Sequence, residues 1–405
     1  ELMDSYTFAQ YFNRASSNRG GGDIFSPAVM ERIKAYQEGT LTATTVDNGS
    51  GIWQKWANAN GNTDWFGEFY DNWVPSQEHN LSISGGTEKL QYVLSGSFLD
   101  QKGLLRHGTD KFQRYTLNSK ITANITDWLK VTLNSKWTRE DFQRPTYLTS
   151  SFFHNLARKW PVHPAYDPNG FPMDEGEIEQ MENGGEQNSQ KDYYTNQLHV
   201  VIEPIKNWRI NLEGSVRTTT QYQHWEVLPV HAYDVNGDPY YTVWDMGYGS
   251  YSAGSSRVDE YSWKENYYTT NIYSDYFKQF DNGHYFKVMA GFNAELYKKG
   301  GLTGFGTDLI TPSVPELNTT QDNKNAYNSA SELAIAGFFG RINYNFDNRY
   351  LIQATMRYDG SSKFGKNNRW GCFPSIALGW RISEEKFFPK NTFINNLKFR
   401  VSWGR

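Results

Sequence analysis

The chain has 405 residues, a formal net charge of -4 and one cysteine, Cys372. That length holds two or three ordinary domains, or one large β-barrel in whole or in part. The small net charge leaves no footprint for nucleic acid, and a single cysteine excludes an intrachain disulfide or a Cys-based metal or redox centre. Aromatic residues make up 16% of the chain, yet its mean hydropathy is -0.72, and no run of about eighteen apolar residues offers a transmembrane helix. Strands that cross a membrane escape that test, because their alternation averages out in any hydropathy window.

Residues 1–78 do not alternate. Their spacing predicts two short helices, near 7–16 and from Ser26 to Gly39, the second with Ser26 as cap, Pro27 at its first position and Gly39 as its stop. A Gly-, Asn- and Trp-rich stretch with Trp53, Trp56 and Trp65 follows, and the segment reads as a small lobe or a long loop. The chain opens Glu-Leu-Met-Asp, without the basic start and apolar core of a signal peptide. An exported protein would carry its leader upstream of this residue.

From His79 the texture changes. Leu81, Ile83, Tyr92 and Leu94 alternate with polar neighbours, and Leu117, Ile121 and Ile125 do so against Asn118, Lys120, Thr122 and Asn124. Leu129, Val131, Leu133 and Trp137 oppose Lys130, Thr132, Asn134 and Lys136, and near the end Phe338, Gly340, Ile342, Tyr344 and Phe346 oppose Arg341, Asn343 and Asn345. In an extended strand this gives one greasy and one wet face. Short turns near 87–89, 125–127, 204–207, 281–284 and 346–349 alternate with long connections at about 140–192, 222–263 and 298–333, and with shorter ones near 99–111 and 360–370. One trimmed rim and one elaborated rim predict an all-β, antiparallel transmembrane β-barrel. About twelve strands are expected, mostly nine to thirteen residues long, which is the length a tilted strand needs to cross a bilayer. Trp128, Trp208, Tyr285 and Tyr350 follow the tight turns and are expected to form an aromatic girdle there. Cys372 falls on the apolar face as a small hydrophobe. Lys120, Lys130, Lys136, Arg209, Glu213, Arg217, Arg341, Arg357, Arg381 and Arg400 fall on the wet face and are expected to line a lumen. Both chain ends fall on the elaborated side, which predicts that barrel strands lie beyond each of them.

Ala165-Tyr166-Asp167-Pro168-Asn169-Gly170 and Ala232-Tyr233-Asp234-Val235-Asn236-Gly237 are near-copies in the long loops. They faintly suggest a calcium loop, but the further oxygen ligands and bidentate Glu are not at the required spacing, and Asn-Gly suffices as a hairpin turn. His154 and His163 lack a metal spacing. No Gly-x-Ser-x-Gly, phosphate-binding glycine loop or His-Glu-x-x-His occurs, so no enzyme activity, cofactor or metal site is expected. The tip from Asp359 to Trp370 reads as a reverse turn, with contact to a cargo as the alternative. Trp225, Tyr233, Tyr240, Tyr241, Trp244, Tyr248 and Tyr251 give the long loops flat apolar faces suited to sugars or peptides, or to packing the loops together.

Two ordered stretches resemble the SusC/RagA branch of TonB-dependent outer-membrane transporters. One runs from Gly340-Arg341-Ile342-Asn343-Tyr344 through Arg357-Tyr358-Asp359-Gly360-Ser361-Ser362-Lys363-Phe364-Gly365 to Leu378-Gly379-Trp380-Arg381-Ile382-Ser383-Glu384-Glu385. The other runs from Asp64-Trp65-Phe66 through His79-Asn80-Leu81-Ser82-Ile83-Ser84-Gly85-Gly86 to Gln101-Lys102-Gly103. The resemblance implies a barrel of roughly twenty-two strands around a plug domain, coupling to TonB through an N-terminal box, and a SusD-like lipoprotein lid at the outer mouth. Residues 1–78 would then be an extracellular loop or lobe after the first strand, and 79–405 a partial barrel embedded in outer-membrane lipid. Plug, TonB box and closing strands are not seen in this sequence, so energy coupling is only implied. The wet-face cations would meet plug or solvent, and the loop aromatics the cargo or the lid. The expected activity is oligosaccharide or peptide import across the outer membrane of a Gram-negative, Bacteroidetes-type bacterium. A passive porin and a soluble all-β glycan-binding module remain as alternatives.

Overall fold

The computed structural model describes residues 3–245, 250–389 and 393–405. Helices α1 (Ser5–Asn18), α2 (Pro27–Gln37) and α3 (Trp65–Phe69) precede strands β1 (Ser76–Gly86), β2 (Leu90–Lys102), β3 (Lys111–Thr126) and β4 (Leu129–Pro145). Helices α4 (Ser150–Arg158) and α5 (Ile178–Asn183) lead to β5 (Glu186–Ile205) and β6 (Trp208–Val227). Two small hairpins follow, β7 (His231–Tyr233) with β8 (Pro239–Tyr241) and β9 (Trp244–Asp245) with β10 (Ser250–Tyr251). The chain finishes with β11 (Arg257–Gln279), β12 (His284–Leu309), β13 (Thr320–Phe346), β14 (Tyr350–Ser361), β15 (Trp370–Arg381) and β16 (Lys398–Gly404). Twelve strands form one antiparallel sheet in the order β1-β2-β3-β4-β5-β6-β11-β12-β13-β14-β15-β16. Each strand pairs with the next one in sequence, as the short-turn and long-loop rule requires.

The register makes the two faces continuous. Ile272, Phe292, Phe338, Tyr358 and Cys372 face one another in turn across β11 to β15. On the other face Asn343, Gln353, Ala377 and Ser402 face one another in turn across β13 to β16. Directly opposed residues lie on the same side of a sheet, so the apolar alternation of the sequence becomes an apolar band around the outside. Its residues stay open to their surroundings: Ile342 is 50% exposed and Phe338 55%. A contiguous apolar surface of this extent needs a lipid solvent. On β12 the band runs from Phe286 to Leu296 and on β13 from Tyr344 to Ala334, and Lys298 and Glu332 close it above, paired at 3.3 Å.

The strands continue far past that boundary. β12 has 26 residues and β13 has 27, so the expected range of nine to thirteen describes only their lipid-facing part. The long connections shrink accordingly to 146–185, 228–256 and 310–319. Above the bilayer both faces of a strand are wet. Stretches such as Lys298-Lys299-Gly300-Gly301 therefore show no alternation and read as loop.

Three further details correct or refine the expectations. Tyr285 is not in the girdle: it faces Asn345 on the inner side, and Phe286 takes the outward place beside Tyr344. The four residues 280–283 before β12 set this register, and a slip of one residue reverses every side chain. Trp208 does point outward, donating its indole N–H to Ser274 Oγ at 2.7 Å, and Tyr350 lies opposite Trp380. The connection 382–397 breaks the short-turn rule, and Glu385 pins it by accepting from Tyr350 Oη at 2.6 Å and Trp380 Nε1 at 2.9 Å. At the tight turn before β14, Asp347 (φ 48°) and Asn348 (φ 55°) both hold positive φ, the signature of a type I′ hairpin.

The lipid-facing assignment predicts a contrast between neighbours. Ile342→Arg should cost about 2–4 kcal/mol of folding stability in a bilayer, whereas lumenal Asn343→Arg should stay within about 0.5 kcal/mol. Urea titration of the protein reconstituted in lipid vesicles checks this. Equal losses would remove the assignment of these two faces.

Candidate functional site

Above the band, at the long-loop end, two apolar cores tie residues of the first 78 to the loop between β4 and β5. α2 is capped by Ser26 with Pro27 following, as the sequence predicts, and the structure adds a cap for α1: Asp4, whose Oδ1 accepts the Thr7 N–H at 2.9 Å. Ala9, Phe25, Val29, Ile33 and Val162 fill the first core. The loop contributes Trp160, whose ring centroid lies 4.7 Å from that of Phe12 and 5.7 Å from that of Phe25. The second core joins Trp65 and Phe69 of α3 to Tyr147, Phe152, Leu156, Ile178 and Val227. Helices α4 and α5 carry no signal strong enough to be read in the sequence. Each is short and becomes stable only by burying Phe152, Leu156, Ile178 and Met181 here.

A cavity of about 770 Å³ opens between these segments and the β7–β8 hairpin. Its aromatic lining is Trp56, Trp160, Tyr147, Tyr240 and Tyr241, and its charged lining is Lys55, Arg158, Lys159, Asp174, Glu175 and Glu177. The lining thus balances three cations against three carboxylates. Glu177 accepts from Tyr147 Oη at 2.8 Å and Asn155 Nδ2 at 2.7 Å, and pairs with Lys159 Nζ at 2.7 Å. Both members of that pair are buried, with side-chain exposures of 2% and 6%. Lys159 also donates to the Glu175 carbonyl at 2.9 Å and lies 4.8 Å from the Trp65 ring centroid. Burial pushes the Lys159 ammonium below its ordinary range, against the pull of Glu177. Lys55 Nζ bridges Asp174 at 2.7 Å and Glu175 at 2.6 Å. Burial works against its charge, but the two carboxylates together raise its pKa. Burial, reinforced by Asp174, moves the Tyr240 hydroxyl to about 12, so Tyr240 remains a neutral hydrogen-bonding phenol.

His163 supports the floor. It is fully buried and stacked on Trp56, with ring centroids 4.6 Å apart. Its Nδ1 lies 3.4 Å from the Trp56 N–H and its Nε2 lies 3.1 Å from the Asp174 carbonyl. These partners define a neutral ring with the proton on Nε2. Burial, together with the charges of Lys159 and Lys55, lowers its pKa from 6.5 to about 3.

The loop aromatics singled out in the sequence divide. Tyr240 and Tyr241 line the cavity. Tyr233 stacks on Phe171 at 4.0 Å, and Trp225 packs against the second core. Trp244 and Tyr251 are opposed in the β9–β10 backbone register, and Tyr248 lies outside the described residues. Lys55, Trp56, Trp160, Asp174, Glu175 and Glu177 follow no periodicity or motif that marks them as site residues in the sequence. The available signals were the tryptophan-rich stretch and the Asp174-Glu175-Gly176-Glu177 cluster. The two near-copy loops are hairpin turns: Asp167 Oδ1 accepts the N–H groups of Asn169 and Phe171, and Asp234 Oδ1 those of Asn236 and Asp238.

On the inner wall, Lys136 and Arg217 share a depression of about 510 Å³ with Arg114, Glu140 and Tyr193. Three of the predicted cations are matched on the wall itself: Arg209 to Asp275 at 2.9 Å, Arg217 to Glu265 at 3.5 Å and Arg357 to Asp359 at 2.9 Å. Lys120 and Arg341 are exposed and carry no ion pair among the described residues, and the Arg381 Nε is buried without a partner. Lys136 likewise has none among them. The long-loop cavity offers aromatic faces and paired charges to a ligand.

Comparison with known proteins agrees with this geometry. The family described as TonB dependent receptor-like, beta-barrel matches residues 141–405. The TonB-dependent receptor SusC of Bacteroides thetaiotaomicron is 30% identical over 371 residues, covering 85% of this chain and 34% of that protein. TonB-dependent receptor P39 of Formosa agariphila is 28% identical over 347 residues, covering 80% of this chain and 30% of the relative. This chain thus spans about a third of the length of the curated relatives it matches. Among solved structures, the RagAB peptide importer in its 'closed-closed' state superposes with a TM-score of 0.76 at 19% identity, over 100% of this chain and 44% of that one. Its 'open-open' state gives the same values. The strand order, the outward apolar band and the family match lead to one conclusion: the chain belongs to the TonB dependent receptor-like β-barrel family and is similar to its SusC and RagA members.

Proposed function

We propose that this chain forms wall and outer mouth of an active nutrient importer in the outer membrane of a Gram-negative bacterium of the Bacteroidetes type. The cargo is an oligosaccharide or a peptide, a SusD-like surface lipoprotein closes the mouth, and TonB supplies the energy. The observation that carries this reading is the charge-balanced aromatic cavity at the long-loop end of a sheet whose outer face is a lipid-facing apolar band. Residues 1–78 and the long loops then face the exterior. Lys120, Lys136, Arg209, Arg217, Arg341, Arg357 and Arg381 face the lumen, where a plug sits. Trp56, Trp160, Tyr240 and Tyr241 offer stacking faces to a sugar or to apolar peptide side chains, and the balanced charges suit a neutral or zwitterionic cargo. The names of two of these proteins support both halves of the reading, since SusC is a TonB-dependent receptor and RagAB a peptide importer. Uptake of labelled oligosaccharides and peptides by the host strain tests it. Uptake should disappear without TonB, and Trp56→Ala should weaken cargo affinity by about thirtyfold, the loss typical of a central aromatic contact. Uptake that persists without TonB would instead make the protein a passive porin.

A further inference from the structure

We propose that the upper edge of the outer face, across β11 to β15, binds a phosphorylated, multi-acyl lipid of the outer leaflet. The inference rests on the outer-membrane reading above. An apolar groove of about 440 Å³ lies there, walled by Tyr268, Leu296 and Trp370, floored by Ala294 and Ala336, and edged by Arg369. The register fixes its height. Tyr268, Leu296 and Ala334 face one another in the last apolar tier, and Asn266, Lys298 and Glu332 form the polar tier above it. The groove therefore ends where acyl chains give way to headgroups. Its depth comes from small residues on adjacent strands: Ala294 faces Ala336, which faces Gly360. A Cβ on Gly360 would lie 2.7 Å from the Trp370 ring, so only glycine lets that indole lie across the wall. Trp370 in turn stacks on Tyr358 at 5.0 Å, as interfacial aromatics do.

The loop above supplies the matching charge. Residues 362–369 carry Lys363, Lys366 and Arg369 and no carboxylate, and all three cations are exposed. Arg369 Nε donates to the Phe364 carbonyl at 3.1 Å, which fixes the guanidinium at the rim while its terminal nitrogens remain without partners among the described residues. The nearby carboxylate of Asp359 does not neutralise this cluster, because it pairs with Arg357 on the inner face. The root of the loop is held to β13 by the Ala334 N–H bonding to Ser362 Oγ at 2.9 Å. A cation cluster anchored by Arg369 at headgroup depth over an apolar groove recognises one chemistry: an anionic headgroup with its acyl chains attached. This gives the Asp359–Trp370 tip a role beyond turning the chain.

The test uses the protein as its host makes it, purified in detergent and placed in phosphatidylcholine nanodiscs doped with bis-phosphorylated lipid A. Native mass spectrometry counts the retained lipid. The wild type should keep it, and Arg369→Gln, Lys363→Gln and Lys366→Gln should each lower occupancy by about fivefold. Ala336→Phe should lower it by filling the groove with no change of charge, while Lys34→Gln on the distant lobe should not. Heat-modified gel mobility confirms that each variant is folded. Equal occupancy in all variants overturns the lipid site, as does displacement of the lipid by inorganic phosphate alone. A protein that stays monodisperse without detergent overturns the membrane reading itself.

Discussion

Lys159→Met should destabilise the lobe at the long-loop end by about 3–5 kcal/mol, the cost of leaving a buried charge without its partner. The substitution keeps most of the side-chain volume, so the loss is electrostatic. Glu177 would retain its bonds from Tyr147 and Asn155 but lose its cation at 2.7 Å. Glu177→Gln should cost a comparable amount, since it strands the ammonium beside Trp65 and the Glu175 carbonyl. The double variant Lys159→Met/Glu177→Gln should recover much of the loss, because no uncompensated charge remains buried. The exposed Lys34–Glu38 pair, at 3.7 Å with side-chain exposures of 61% and 56%, provides the contrast: Lys34→Ala should cost about 0–1 kcal/mol. Hydrogen–deuterium protection of residues 147–180 reads the effect locally, without unfolding the barrel. Additive losses in the double variant would show that the pair is not coupled.

Acid should loosen the same region through His163. Its folded pKa of about 3 lies below the ordinary 6.5, so the unfolded lobe takes up a proton first as the pH falls. The stabilising effect is fully present above pH 6.5 and is lost progressively as the pH drops toward 3, at about 1.4 kcal/mol per unit. At pH 5 the loss from this residue should be about 2 kcal/mol. Protection factors at residues 160–165, corrected for intrinsic exchange, should therefore fall between pH 7 and pH 5. His163→Phe keeps an aromatic ring between Trp56 and Trp65 but has no proton to gain, so its profile should be flatter over that range. An unchanged slope in this variant would assign the acid sensitivity to other groups. The two predictions are linked, because the Lys159 charge is part of what holds His163 neutral.

The sequence alone determined the wall. A strand between lipid and water must alternate, so Ile342 against Asn343, or Leu133 against Asn134, states its own orientation, and the tight turns state the strand order. The helix caps at Asp4 and Ser26 were equally local: at Ser26 the sequence predicted the cap directly, while Asp4 became visible as one only in the structure. Beyond the bilayer that source of information stops. The upper parts of β12 and β13 have water on both faces and so carry no alternation, and the side that Tyr285 takes depends on the register of one turn. The cavity was decided by tertiary structure altogether. Lys55, Trp56, Lys159, Asp174, Glu177 and Tyr240 come from three separated segments, and nothing periodic links them. They meet because two apolar cores dock those segments together, and the buried charges there are tolerable only once each has found its partner.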